Sequence, residues 1–295
     1  MVSPLARLTI VLDLIRWQHT VFALPMALAS AVLAIDASPP RSAGWWTWKI
    51  LLIVLAAFAA RSAAMAHNRW ADRDIDATNP RTASRPSVTG AVSPGFLLGF
   101  TVAACLVFVL ISGLINTLAL ALSPLFLTVL LGYSHAKRFT ALAHIWLGVA
   151  LGLAPVGAWV AITGSLAWTP LLMGLAVVPW VAGFDILYAL ADIEHDRREG
   201  LHSIPARLGA RRAMALAAVL HVLSVMLLLI LGLVAQRGLW YTIGVLAAGA
   251  LLVLEHRLVR PEDLSRLPSA FLTLNGLFSL AILAGVVLDV WSRGT

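Results

Sequence analysis

An all-helical membrane protein, with about nine transmembrane helices in one bundle, is the fold this sequence predicts. Three observations predict it. Hydrophobic residues make up 60% of the 295-residue chain and charged residues 12%, with a mean hydropathy of +0.91; a soluble domain carries about 25% charged residues. Mostly apolar runs of roughly 18 or more residues recur along the whole length, each able to cross a hydrocarbon core about 30 Å thick. Lipid offers no partner to open backbone groups, so such runs close their hydrogen bonds within helices. The apolar–polar alternation of a barrel strand is absent from them.

The spans fall at 17–35, 47–66, 93–113, 116–133, 143–163, 168–190, 212–234, 239–256 and 270–290, and residues 1–295 read as one transmembrane domain. The first follows Arg7 and Arg16, and no small-residue cleavage site closes it, so it reads as a span and not a leader peptide. The second runs into Asn68-Arg-Trp-Ala-Asp72. The third holds Cys105, the only cysteine, which excludes an intrachain disulfide and reads as a small buried hydrophobe. The fourth leads to Tyr133-Ser-His-Ala-Lys137-Arg138, the fifth carries Gly148, Gly152 and Pro155, and the sixth ends on Asp185 to Asp196. Basic residues precede the seventh (Arg211, Arg212) and follow the eighth (Arg257, Arg260, Arg266), and the ninth stops before Arg293.

Connections between spans alternate sides, so basic residues orient the chain. Seventeen of the 21 lysines and arginines lie on the side of the N-terminus, and only Arg41, Lys49, Arg237 and Arg293 lie opposite. That places the N-terminus in the cytoplasm of a multi-pass cytoplasmic (inner) membrane protein and the C-terminus outside. An odd number of spans makes the asymmetry this clean. The net charge of +7 is thereby explained by topology and by an anionic ligand, and nucleic acid is excluded as a partner.

Seven of the fourteen acids sit in two short stretches, Asp72 to Asp76 and Asp185 to Asp196. Intramembrane or membrane-edge charge is costly and marks function. At about 100° per residue, Asn68, Asp72 and Asp76 follow at four-residue steps along one helix face. Asp192 and Asp196 fall about 20° to either side of Asp185 on the same count. Asp74 and Glu194 point away and read as surface acids. Stacked carboxylates need positive charge between them. Arginines could supply it as ordinary ion pairs. A divalent metal is the functional reading, and hard oxygen donors without thiols favour Mg²⁺, bound by one or two carboxylates together with phosphate oxygens.

The loops that follow are rich in phosphate-binding residue types: Arg81 and Arg85 after the first cluster, Arg197, His202 and Arg207 after the second, and Lys137 with Arg138 after span four. Arg211, Arg212, Arg257, Arg260 and Arg266 read as loop positives only.

Asn68-x3-Asp72-x3-Asp76 with Arg81-Thr-x2-Arg85-Pro, paired with Asp185-x2-Tyr188-Ala-x2-Asp192-x3-Asp196, resembles the UbiA superfamily of intramembrane prenyltransferases. Tyr133-x3-Lys137-Arg138 and Gly148-x3-Gly152-x2-Pro155 are similar too, and the likeness runs from about residue 16 to 280. It implies a nine-helix bundle open laterally to lipid, with Mg²⁺ bridging a polyprenyl diphosphate. Asn68, Asp72, Asp76, Asp185, Asp192 and Asp196 become the expected metal ligands. Arg69, Arg81, Arg85, Tyr133, Lys137, Arg138 and Arg197 become the expected substrate contacts, and Asp72, Asp192, Lys137 and Tyr188 the catalytic residues. Arg69 stands where many members have aspartate. A subset resembling 4-hydroxybenzoate polyprenyltransferases and relatives on the futalosine route to menaquinone also carries Asn-Arg there.

The implied reaction transfers a polyprenyl group from its diphosphate to an aromatic ring, 4-hydroxybenzoate or a related precursor of ubiquinone or menaquinone. Metal, arginine and lysine would neutralise charge on the leaving diphosphate. Trp70, Phe184 and Tyr188 are candidates to face the allylic cation, at about 0.5–2 kcal/mol per ring. Arg138 or Arg16 could meet the acceptor's carboxylate, and His67, His135, His195 and His202 lie near the proposed mouth. The alternative is a secondary transporter with aspartate cation or proton sites. Such sites lie near the midplane on broken helices, whereas these acids lie at helix ends beside basic loops. The Asp-Gly-x2-Ala-Arg motif of a CDP-alcohol phosphotransferase is absent.

Overall fold

Helix boundaries in this chain are set by capping residues as much as by apolar length. In a computed structural model, which describes residues 20–259, 264, 267 and 270–294, the long helices are α1 (Thr20–Asp36), α2 (Ala43–Ala71), α4 (Pro94–Ile115), α5 (Thr117–Ala136), α6 (Ala143–Thr163), α7 (Trp168–Tyr188), α10 (Ala210–Val234), α11 (Leu239–Leu258) and α12 (Asn275–Gly294). Short helices fill the loops on one face: α3 (Arg73–Thr78), α8 (Ile193–Arg198) and α9 (Ile204–Leu208). Among the described residues, eight helices are long and apolar enough to cross a membrane, and Leu24–Asp36 is a shorter apolar helix. No described residue lies in a strand. Arg7, Arg16, Arg260 and Arg266 lie outside the described residues.

Ser93 caps α4 by accepting the Phe96 N–H, and Pro94 occupies the first turn, where its missing N–H costs nothing. Asn116 separates α4 from α5: its side-chain oxygen accepts the Ala119 N–H at 2.8 Å, and its amide donates to the Val160 carbonyl on α6. Gly164 ends α6 in the left-handed conformation, φ 69°. Lys49 lies inside α2, and its Nζ donates to the Ile115 carbonyl at 2.6 Å, satisfying an open end of α4.

Small residues decide which helices meet. A Cβ on Gly148 would stand 2.4 Å from the Val178 carbonyl oxygen, and one on Gly152 would stand 2.7 Å from that of Gly174, so α6 and α7 cross backbone to backbone. Gly244 and Gly285 do the same for α11 and α12. From this crossing the bundle closes in a ring: α7 packs on α10, α10 on α11, α11 on α12, α12 on α1, and α1 back on α6. Helices α2, α4 and α5 form a second arc that returns to α6. Between the arc and the ring lies space that side chains do not fill.

Candidate active site

The two acid clusters meet at the face where the short helices lie. The helix carrying the first cluster is interrupted: α2 stops at Ala71, Asp72 takes φ −95° and ψ 3°, and α3 begins at Arg73. The spacing nonetheless survives, because the Asp72 N–H still donates to Asn68 and the Asp76 N–H to Asp72. Asp72 and Asp76 are buried, 4% and 5% exposed. The second cluster departs further from expectation. It does not lie on one α-helix, since α7 ends at Tyr188 and a 3-10 turn spans Ala189–Asp192 before α8. The tighter turn moves Asp192 and Asp196 off the face that carries Asp185.

Asp72 and Asp76 each hold a base. Asp72 Oδ2 accepts from Lys137 Nζ at 2.7 Å and from the Asn68 amide at 2.9 Å, while its Oδ1 is buried without a partner. Asp76 pairs with Arg85 at 2.6 Å. Across the gap, Asp192 is gripped from the loop after α3: Arg81 donates through Nη2 at 2.5 Å and Nε at 3.1 Å, and Asn79 donates at 2.9 Å. Arg81 also reaches the Tyr188 hydroxyl and stands 5.3 Å from that ring's centroid. Partial burial works against charge on Arg81, but the hydrogen bond and charge of Asp192, with Tyr188 and Asp76 adding, outweigh it and hold the guanidinium above its ordinary value. Asp185 stands apart, its Oδ2 2.6 Å from His144 Nδ1.

Two adjoining cavities use these residues. A polar chamber of about 190 Å³ is lined by Asn68, Asp72, Asp76, Asp192 and Asp196 and, interleaved with them, by Arg69, Arg81, Arg85 and Lys137. An apolar cavity of about 380 Å³ opens beside it, walled by Ile53, Phe108, Ile115, Phe126, Ala158 and Phe184. Asn68, Arg69, Arg85, Tyr133, Asp185 and Tyr188 line both and so mark the seam. From Asn68 to Ile53 the cavity follows fifteen residues of α2, about 22 Å at 1.5 Å per residue.

Several expectations change here. Arg138 and Arg197 line neither cavity: Arg138 donates to the Ala71 carbonyl at the end of α2, and Arg197 Nε donates to Ala206 at 2.9 Å. Trp70 packs against Ala66, Val92 and Leu97, away from both cavities. Phe184 and Tyr188 do line the apolar cavity. His195 and His202 border the polar chamber, whereas His67 and His135 pair with each other at 3.1 Å and border neither. Asp74 and Glu194 are exposed.

Arg61, inside the second apolar run and one of the basic residues on the side of the N-terminus, lies within α2 and lines the apolar cavity. Its Nε is buried with no hydrogen-bond partner. It sits seven residues before Asn68, about 10 Å deeper along the helix. Its place inside an apolar run is the one sequence signal that sets it apart from the loop cations.

The donor set fits a hard divalent cation. It consists of carboxylate and amide oxygens on opposed walls, and Asp72 Oδ1 is a buried acceptor lacking a donor. Among the described residues no three acids or histidines converge on one point, which suits an ion completed by phosphate oxygens and water.

Known proteins share both sequence and shape with this chain. The model of the UbiA prenyltransferase family matches residues 23–282. A 4-hydroxybenzoate octaprenyltransferase of Aeromonas salmonicida (strain A449) is 33% identical over 243 residues, covering 82% of this chain and 83% of the relative. The apo structure of a UbiA homologue from Aeropyrum pernix K1 superposes with a TM-score of 0.81 at 35% identity, over 92% of this chain and 98% of that one. A UbiA homologue from Archaeoglobus fulgidus, solved with GPP and Mg²⁺, shares the fold at a TM-score of 0.71 and 23% identity, over 96% of this chain and 99% of that one. An amphiphilic pair of cavities between two acid clusters, in an integral membrane bundle of this shape and ancestry, places the protein in the UbiA prenyltransferase family, as a membrane-embedded prenyltransferase.

Proposed function

We propose that the protein transfers a polyprenyl group from polyprenyl diphosphate to the ring of an aromatic acid of the 4-hydroxybenzoate type, in a Mg²⁺-dependent reaction that serves quinone biosynthesis. The observation that carries this reading is the seam: a charged chamber sized for a diphosphate joins an apolar cavity, and six residues belong to both. Relatives named 4-hydroxybenzoate octaprenyltransferase support the acceptor, and the homologue solved with GPP and Mg²⁺ supports the donor and the ion.

Asn68, Asp72 and Asp76 on one wall, with Asp192 and Asp196 on the other, would hold Mg²⁺. When bound, the ion neutralises charge that develops on the departing diphosphate oxygens. Arg81, Arg85 and Lys137, now paired with acids, are the cations that would turn to phosphate oxygens once those acids are engaged elsewhere. Arg69 and Tyr133, at the seam, would complete the cradle. The prenyl tail lies in the apolar cavity, where water is excluded from the allylic cation, with Phe184 and Tyr188 presenting ring faces. Arg61 would supply a cation for the acceptor's carboxylate, in place of Arg138. The basic-residue asymmetry supports a cytoplasmic N-terminus, an exterior C-terminus and a chamber facing the cytoplasm.

The test is prenyl transfer by purified protein in detergent, with Mg²⁺, geranyl or longer diphosphate and labelled 4-hydroxybenzoate. Product that requires Mg²⁺ and vanishes in Asp72→Ala and Asp192→Ala is the expected result. Diphosphate release with another aromatic acceptor only would move the acceptor. Neither product nor diphosphate release with any acceptor would refute the reaction.

A further inference from the structure

Asp185 differs from the other acids in both place and partner. It lines the polar chamber and the apolar cavity alike, with its side chain 19% exposed, whereas Asp192 and Asp196 border only the chamber. Its partner is neither arginine nor lysine but His144, in the first turn of α6, 5% exposed and itself part of the chamber wall.

The protonation of that histidine follows from its neighbours. His144 Nε2 lies 3.3 Å from the backbone nitrogen of Ile204, which can only donate. Nε2 is therefore the bare nitrogen, and the ring proton sits on Nδ1 and donates to Asp185 Oδ2 at 2.6 Å. One imidazole thus ties α6 to α7 and to the start of α9. Ile204 follows Ser203, which accepts the Ala206 N–H at the start of α9 and lines the chamber with Asp196, so the same strut anchors the loop behind the second acid cluster.

Resting on the proposed reaction, we infer that His144 is a positioning residue. It holds one oxygen of Asp185 so that the other turns to the seam, where acceptor and prenyl chain meet, and it keeps Asp185 out of the metal-holding set. A ring held on both nitrogens fixes the plane of the carboxylate it touches, as imidazole–carboxylate pairs do behind metal sites, where breaking them costs about 10- to 100-fold.

Three variants of the full-length protein test this. His144→Phe keeps a ring of similar size and removes both hydrogen bonds. His144→Asn keeps an amide donor at the Nδ1 position, and Asp185→Asn removes the charge while leaving the strut. Steady-state kinetics give kcat, a KM for the aromatic acceptor and another for geranyl diphosphate, and the Mg²⁺ concentration for half activity; the thermal shift caused by Mg²⁺ with geranyl diphosphate reports binding without turnover. His144→Phe and Asp185→Asn should each lower kcat by about 10-fold or more. Their geranyl diphosphate KM, Mg²⁺ dependence and thermal shift should stay at wild-type values, and His144→Asn should recover most of kcat. A normal kcat in either deficient variant overturns the inference. So does a Mg²⁺ dependence or thermal shift that weakens with kcat, which would return Asp185 to the metal set, or an asparagine variant as poor as phenylalanine. An inactive wild type sinks the reaction and this role together, while an active wild type with a normal His144→Phe sinks the role alone.

Discussion

Replacing Arg61 by methionine should separate acceptor recognition from every other property of the site. Arg61 is borne about 10 Å deeper along α2 than Asn68, on a cavity wall that includes Ala57, Ala60, Ala64 and Phe108. Its Nε finds no partner. A charge in such a place destabilises the empty protein, so Arg61→Met should leave the melting temperature unchanged or raise it. Binding reverses the sign. A carboxylate entering the cavity would make a desolvated, charge-assisted contact, and removing one partner of such a contact costs about 2–5 kcal/mol. With 4-hydroxybenzoate as acceptor, the acceptor KM should therefore rise by roughly 30-fold or more at 1.4 kcal/mol per tenfold. The KM for geranyl diphosphate should hold, because Arg81, Arg85 and Lys137 are untouched. Acceptor titrations in detergent, beside melting curves with and without Mg²⁺ and geranyl diphosphate, read all three quantities. An acceptor KM within threefold of wild type would refute this placement of the carboxylate. A loss of diphosphate affinity would instead assign Arg61 to the chamber.

Two further outcomes follow from the geometry. Arg81→Gln removes both bonds to Asp192 and the contact with Tyr188; the KM for prenyl diphosphate should rise about 10-fold or more, as expected for loss of a bidentate charged contact, and an unchanged KM would show that Arg81 serves only as a tether. Gly157 lines the apolar cavity, and a Cβ there would stand 3.1 Å from Phe126. Gly157→Val should narrow the tail's path, lowering kcat/KM for long polyprenyl donors by about 10-fold while geranyl diphosphate is used nearly as before. Equal losses for both lengths would mean that the tail runs elsewhere.

Much of this protein was written in its sequence. Apolar length alone places α2, α4, α5, α6, α7, α10 and α11 within a few residues of where they lie, because in lipid a backbone has few alternatives to helix. The glycines of α6 were visible as a motif, and the structure gives them a cause in the approach of α7. Both acid clusters were legible from spacing. Asn68, Asp72, Asp76, Asp192 and Asp196 do line one chamber, since a cluster of costly charges at a membrane edge has few uses. Tertiary structure decided what each charge touches. Nothing in local sequence tells Arg81, which crosses to Asp192, from Arg138 and Arg197, which turn to backbone carbonyls, because partners more than a hundred residues apart in the chain, as Arg81 and Asp192 are, depend on how helices pack. Arg61 was legible as a charge inside an apolar run but not as a cavity residue, because only the packed bundle shows which residues border a void. His144 carried no sequence signal at all: its role exists only because α6, α7 and α9 bring an imidazole, a carboxylate and a backbone N–H within hydrogen-bonding reach.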